Sequence, residues 1–374
     1  MNRLRDPLTP FLITSMVLGL SLSALLQMSP VLAARLGANY TEIGLAMGAV
    51  RLTPYVILSP LVGLILRRLH GMLAIMISAA LMSLSHIQLA LAEDLTLLTM
   101  AQITSGISMA FYYPVSEIIL ATTYHGVMRM RVFSKFGATS ATGFLIGSMV
   151  SGVLAQYIGL QTMFLTLGLL TAFTTPYITK SKLSPNIGAT ARSALPDFLI
   201  KLFPAFSVTM PFFMIFGIAQ VIIPGYAALS GISELGIGLL FLGMWATRIL
   251  TSIMMARKPV GNIGRWFLAS GIGLSSLLAM TALYPGPLSL MTLLLAMGST
   301  VSIIYILTLF LTASNSEDNQ PLAIGVYEMI IGLAFLIGPP IAGAAADLLG
   351  VQTLFLGMSI LGLASGLVGF LHRR

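Results

Sequence analysis

The chain has no cysteine among its 374 residues, which excludes disulfides and thiolate chemistry. Charge is nearly as scarce. Lys, Arg, Asp and Glu make up 8% of the residues, where a soluble domain carries about 25%, and this excludes a water-soluble fold. Histidine is limited to His70, His86, His125 and His372, too scattered for a metal site, and none is expected to be catalytic. HExxH, GxxxxGK[ST] and GxSxG are all missing. No enzyme activity and no cofactor are therefore expected, and no nucleotide hydrolysis to supply energy. The net charge of +8 does not point to nucleic acid. The bases sit in short loops between apolar runs, with no patch of interleaved aromatics.

What is present is hydrocarbon, at 57% hydrophobic residues. Runs of about 20 apolar residues recur, enough to cross a bilayer as helices. The runs are continuous rather than alternating, so helices are favoured over a barrel. Twelve spans are predicted, at 8–33, 41–66, 72–91, 96–123, 132–157, 161–179, 203–229, 234–255, 265–284, 287–312, 321–348 and 351–371. The first is too long for a signal-peptide core and is read as an uncleaved span, although Leu32–Ala33–Ala34 could pass for a cleavage site. The expected fold is an all-α integral membrane protein of twelve transmembrane helices.

The stretch 325–355 has an echo about 191 positions earlier. Gly147, Gly152, Gly159, Gln161, Thr162 and Phe164 match Gly338, Gly343, Gly350, Gln352, Thr353 and Phe355. Thr41–Glu42–Ile43–Gly44 matches Ser233–Glu234–Leu235–Gly236 at nearly the same offset. The chain therefore reads as one six-helix unit written twice, an N-terminal half 1–180 and a C-terminal half 203–374, joined by a polar linker 181–202. With both termini on the cytoplasmic side of a cell membrane, the inner loops and span ends collect nearly all the bases, from Arg3, Arg67 and Arg68 to Arg373 and Arg374. The outer loops hold Arg35 alone. Glycine pairs at small-xxx-small spacing, Gly44/Gly48, Gly143/Gly147 and Gly362/Gly366, mark close helix crossings, either static packing or surfaces where the halves slide.

These features resemble the major facilitator superfamily of secondary transporters. The likeness covers essentially the whole chain: twelve spans, a 6+6 repeat, a basic middle loop and basic pairs after spans two and eight, at Arg67–Arg68 and Arg257–Lys258. It includes the run from Gly106 to Tyr113–Pro114 in span four and Gly338–Pro339–Pro340 in span eleven. Three motifs depart from the family pattern. In the loop motif G-x-x-x-D-R-x-G-R-R, Gly63 and Arg68 fit, but Arg67 replaces the aspartate and His70 the second glycine. Gln102 stands where the family's antiport arginine belongs, and Ser148 replaces the proline of the span-five antiporter motif. These departures count against a standard proton-coupled drug antiporter. The resemblance implies a monomer in the lipid bilayer that moves a small-molecule solute by alternating access, with spans one, four, seven and ten lining the cavity.

Four charges fall well inside the spans: Arg51, Glu117, Arg248 and Glu328. Each costs roughly 2.5–3.5 kcal/mol to insert, so each is a functional candidate. Arg51 lies near the midplane, and its guanidinium fork suits a carboxylate or phosphate of the solute. The other reading is an arginine held by carbonyls or by Glu328. Arg248 and Glu328 share a depth, and they are expected to approach each other as an ion-coupling pair for protons. Burial favours a neutral acid and a guanidinium the charged one, so the pair is either a proton site or a permanent helix lock. Glu117 is expected to latch to Arg68 as a gate. Gln27, Tyr113, Gln220 and Tyr305 complete the expected substrate-binding set, with Tyr113 and Tyr305 at matching places in the two halves. The favoured reading is a small organic anion as solute. The alternative is efflux of lipophilic or cationic compounds, with Glu328 as counter-charge.

Overall fold

In the computed structural model, residues 8–174, 183, 195–257, 261–316 and 319–371 are described, without the side chains of 195–202 and 204. Most of the expected linker, the basic first residues, Lys258, His372 and Arg373–Arg374 lie outside the described residues. Among the described residues, twelve apolar helices follow one another: α1 (Leu8–Arg35), α2 (Tyr40–Ile65), α3 (Gly71–Ala90), α4 (Leu95–Thr123), α5 (Gly126–Ile158), α6 (Leu160–Thr174), α7 (Leu195–Leu229), α8 (Glu234–Arg257), α9 (Ile263–Leu283), α10 (Pro287–Ser314), α11 (Gln320–Leu349) and α12 (Val351–Leu371). Eleven of them are long and apolar enough to cross a membrane, and α6, at 15 residues, is the shorter one. Their outward faces carry exposed apolar residues such as Phe173, Leu288 and Leu348, as lipid-facing helices require. This is a multi-pass membrane protein.

Where a helix starts or stops, a local residue explains it. Asp94 Oδ1 accepts from Leu97 N at 2.8 Å and opens α4. His70, in the place of the resembled motif's glycine, accepts from Met72 N at 3.3 Å and opens α3. Gly159 and Gly350, partners in the sequence repeat, have φ of 85° and 83° at the α5–α6 and α11–α12 junctions. Only glycine adopts that left-handed conformation cheaply, so the repeat is written in the backbone as well as in the residues.

The two sets of six helices meet through α5 against α8 and α2 against α11. Glycines allow both crossings. A Cβ at Gly152 would come within 2.9 Å of Glu234 O, and one at its repeat partner Gly343 would overlap the backbone of Tyr40. Of the three glycine pairs singled out above, only Gly44/Gly48 lies between the halves, against Pro339 and Pro340. Gly143 and Gly147 seat against α1, and Gly362 lies against Ser275 and Gly366 against Gly271 of α9, within one half each.

Helix α2 is the least regular. It begins helical, widens into a π turn at Leu45–Val50, resumes at Arg51–Leu58 and tightens into a 3₁₀ turn at Ser59–Leu61. Pro54 and Pro60 remove two backbone donors along it. A π turn rotates every later side chain relative to a regular helix. Arg51 is the first residue after it.

Candidate functional site

A cavity of about 70 Å³ lies between the two halves. Its wall is drawn from α1, α2, α4, α5, α7, α8, α10 and α11, whereas α3, α6, α9 and α12 contribute nothing to it. Much of the wall is apolar, with Leu22, Leu26, Phe144, Phe213, Phe216 and Phe335 among its members. Against this stand Arg51, Gln220, Trp245, Arg248, Tyr305 and Glu328.

The polar side chains are mostly donors, and several have nothing to donate to. Arg51 is 1% exposed, and its Nε and Nη1 have no acceptor. Gln220 Nε2 and Trp245 Nε1 are likewise buried without a partner. A buried orphan donor costs about 1–3 kcal/mol, so four N–H-bearing atoms of cavity-lining side chains favour an acceptor beside them. The Arg248 guanidinium lies 5.2 Å from the Trp245 ring centroid and 5.7 Å from that of Tyr305. Those ring faces hold it by cation–π attraction.

The acids are arranged differently. Tyr55 OH donates to Glu328 Oε2. Tyr305 OH donates to Glu117 Oε1 at 2.5 Å. Glu117 of α4 and Glu328 of α11 are both buried, on helices that touch each other. Their remaining oxygens, Glu117 Oε2 and Glu328 Oε1, have no other donor. The two pairs, Tyr55 of α2 with Glu328 of α11 and Tyr305 of α10 with Glu117 of α4, each cross the boundary between the halves.

Six expected residues are brought together on the cavity: Arg51, Tyr113, Gln220, Arg248, Tyr305 and Glu328. Three expectations need correction. Gln27 faces α5 instead, where its Nε2 donates to Ser148 Oγ at 2.7 Å and Ser23 Oγ at 2.9 Å. Ser148 holds the place of the motif's missing proline, so this departure supplies a tie between α1 and α5. Arg248 and Glu328 share the wall, but the expected ion pair is not formed: among the described residues the one ion pair is Arg35–Glu234. Aromatic faces hold the arginine and a tyrosine holds the acid. Glu117 does not latch to Arg68. Six residues, about 9 Å, separate it from the end of α4 at Thr123. It is fully buried there, while Arg68 is exposed.

Tyr55 and the phenylalanines Phe144, Phe213, Phe216 and Phe335 were not among the expected site residues. Tyr55 follows Arg51 by four residues and so shares its helix face, which is the signal that would have found it.

The cavity is bridged at both ends. At the Arg35 end, Arg35 pairs with Glu234. Asp347 of α11 accepts from Thr41 Oγ1 at 2.6 Å, Thr41 N at 2.9 Å and Tyr40 N at 3.3 Å at the start of α2. At the opposite end Arg129 of α5 is fully buried, and its Nη1 reaches Ala313 O of α10 at 3.3 Å. Contacts between the halves are thus made on both sides of the cavity.

Residues 11–315 match the family model described as Major Facilitator Superfamily. The chain belongs to the major facilitator superfamily. Its fold is shared with the human organic anion transporter MFSD10 (TETRAN), at a TM-score of 0.76 and 15% identity, over 99% of this chain and 100% of that one. A bacterial homolog of the human lysosomal transporter Spinster, solved inward-facing and unoccupied, superposes with a TM-score of 0.67 and 12% identity over 99% and 98% of the two chains. A stretch of 57 residues is 40% identical to efflux pump terJ of Aspergillus terreus. That stretch is 15% of this chain and 11% of the pump.

Proposed function

We propose that this member of the superfamily is a secondary active transporter of a small organic anion. The halves 1–180 and 203–374 rock about the cavity, with both termini cytoplasmic in a cell membrane. The observation that carries the reading is the set of orphan donors on Arg51, Gln220 and Trp245, beside the aromatic-held Arg248. An anion supplies the missing acceptor, and the apolar wall accommodates its organic part. Arg51 comes from the first half, and Gln220, Trp245 and Arg248 from the second. An anion held between them draws the halves together, which alternating access requires of a substrate. Tyr113 and Tyr305 form the matching side walls. MFSD10 is described as an organic anion transporter, but at 15% identity the likeness speaks for the fold, and the donors carry the substrate class.

Efflux of a lipophilic cation is the second reading. It is favoured by the carboxyl oxygens of Glu328 and Glu117 beside an aromatic wall, and by the short likeness to an efflux pump.

A thermal-stability screen separates the two. A ligand at a hundredfold its dissociation constant adds about 2.7 kcal/mol to the folded state. Organic anions are expected to stabilise the parent protein and not Arg51→Ala. Stabilisation by lipophilic cations alone, unchanged in Arg51→Ala, would replace the anion reading with the second one.

A further inference from the structure

We infer that the solute is a zwitterion, with its anionic end at Arg51, an ammonium group at Glu328 and an apolar spacer that holds the two apart. The inference rests on the anion reading of Arg51 above and adds the second end of the solute and the span between the ends.

The cavity lacks an acceptor at one place and a donor at another. Arg51 Nε and Nη1 are buried without an acceptor. Glu328 lines the same cavity and is 2% exposed. Its Oε2 accepts from Tyr55 OH, and its Oε1 has no donor. The two side chains do not satisfy each other, since among the described residues the one ion pair is Arg35–Glu234. A simple anion meets the need of Arg51 and leaves Glu328 Oε1 bare, and a simple cation does the reverse. A molecule with both ends meets both needs, and each buried polar group left unmet carries its full desolvation cost. Arg51 belongs to the first half and Glu328 to the second, so such a molecule also joins the halves.

Contacts between α2 and α11 set the span. The two helices run antiparallel, with Gly44 against Pro339, Gly48 against Phe335 and Ser59 against Gly325. On this register Arg51 stands level with Gly332 and its neighbours. Glu328 lies four to five residues nearer the start of α11, roughly 6–7 Å along the helix axis. Leu52 and Ile331, both on the cavity wall, fall between the two levels. Phe335 packs on Leu52 and Tyr55, and its ring lies edge-on to Phe216 at 5.9 Å. An α-amino acid carries both charges on one carbon and is too short for this span. A ring between carboxylate and ammonium group suits it, both in length and in its apolar faces.

Charge favours the same class. Arg51, Arg248, Glu117 and Glu328 lie within the spans, and their formal charges sum to zero. A bare anion or a bare cation gives the bundle a net charge, which hydrocarbon disfavours, whereas a zwitterion keeps the sum at zero. Arg248 already has the ring faces of Trp245 and Tyr305, and Glu117 has the Tyr305 hydroxyl. Among the described residues, Arg51 and Glu328 are the charged groups of the cavity wall with buried atoms unmet.

Titration calorimetry on the purified protein tests this with three probes built on one ring. They are para-(aminomethyl)benzoate, which carries a carboxylate and an ammonium group at opposite ends, benzoate and benzylamine. The zwitterion is expected to bind at least about tenfold more tightly than either of the others, the worth of one further charge-assisted hydrogen bond. Glu328→Gln is expected to remove the advantage over benzoate while leaving benzoate affinity within about twofold. Arg51→Ala is expected to remove the advantage over benzylamine. Retained benzoate binding shows that Glu328→Gln is folded, and if it does not fold, the ranking of the three probes on the parent decides. Benzoate as tight as the zwitterion, in the parent and Glu328→Gln alike, overturns the ammonium end and leaves the anion reading standing. Benzylamine as tight as the zwitterion, and unchanged in Arg51→Ala, overturns both. Free phenylalanine, with its charges on one carbon, binding more tightly than para-(aminomethyl)benzoate overturns the span. Binding by none of these overturns the inference, and the screen against organic anions then decides the anion reading alone.

Discussion

Asp347 gives the sharpest test of how the halves close. It is the one residue of α11 that accepts hydrogen bonds from the start of α2, three of them, at 2.6, 2.9 and 3.3 Å. Two come from backbone N–H groups at the N-terminus of α2, where a negative charge is also favoured by the helix dipole. Asp347→Ala removes all three and no buried group is left behind, because the site is exposed. Exposure puts each bond near the low end of the usual range, so the loss is about 2 kcal/mol in total. These bonds exist only while this end is closed, so the whole loss falls on the occluded state. Every 1.4 kcal/mol is tenfold in an equilibrium, so the population open at the Arg35 end is expected to rise by roughly 30-fold. The absence of native cysteine makes the measurement free of background. Leu26→Cys places a single thiol on the cavity wall, and its labelling by a small charged thiosulfonate reports opening. Asp347→Ala should raise the labelling rate by one to one and a half decades, and Thr41→Ala, which removes only the hydroxyl bond, by a few-fold. Labelling unchanged in both variants, with the thiol shown reactive after unfolding, would refute the closure argument.

At the other end, Arg129→Ala should raise labelling of the same thiol from the opposite side, since it removes the guanidinium bond to Ala313 O. Vesicles of the two orientations distinguish this from the Asp347 effect. Gly343→Ala should cost the occluded state about 1–3 kcal/mol, because its Cβ meets Tyr40 backbone that cannot yield, and the same labelling reads it. Gly159→Ala meets open space and pays only for its backbone conformation, φ 85° and ψ 157°, about 1–3 kcal/mol, so it should lower the melting temperature and leave labelling unchanged. Ser148→Ala cuts the Gln27 tie between α1 and α5, worth roughly 0.6–1.7 kcal/mol of stability in a membrane bundle, and should leave anion affinity untouched. A large loss of affinity there would return Gln27 to the binding site.

Much of the site was legible through rarity. Arg51, Arg248 and Glu328 stand out because a charge in hydrocarbon is expensive, and all three reach the cavity. Gln220 was found by reading amides in spans expected to line it. The same rule misplaced Gln27, because it selects a helix and not a face of that helix. Depth was legible too. Glu117 lies about 9 Å in from the end of α4, and Glu328 about 12 Å in from the start of α11, at the same end of the bundle. The sequence reading joined Glu328 to Arg248 because opposite charges attract, and it left out Tyr55, whose hydroxyl donates to Glu328.

Hydrophobic length, glycine spacing and the distribution of bases are one-dimensional quantities, and a bilayer acts on them directly. The number of helices, the repeat and the expected orientation follow from them before any packing is known. Azimuth is different. Which way Arg51 points depends on a π turn at Leu45–Val50, and whether Glu117 meets Arg68 or Tyr305 depends on which side of α4 faces the other half. Those rotations arise from contacts between residues far apart in the chain. Only the assembled bundle could therefore bring two arginines to one cavity without carboxylate partners among the described residues, and give each glutamate a tyrosine from the other half.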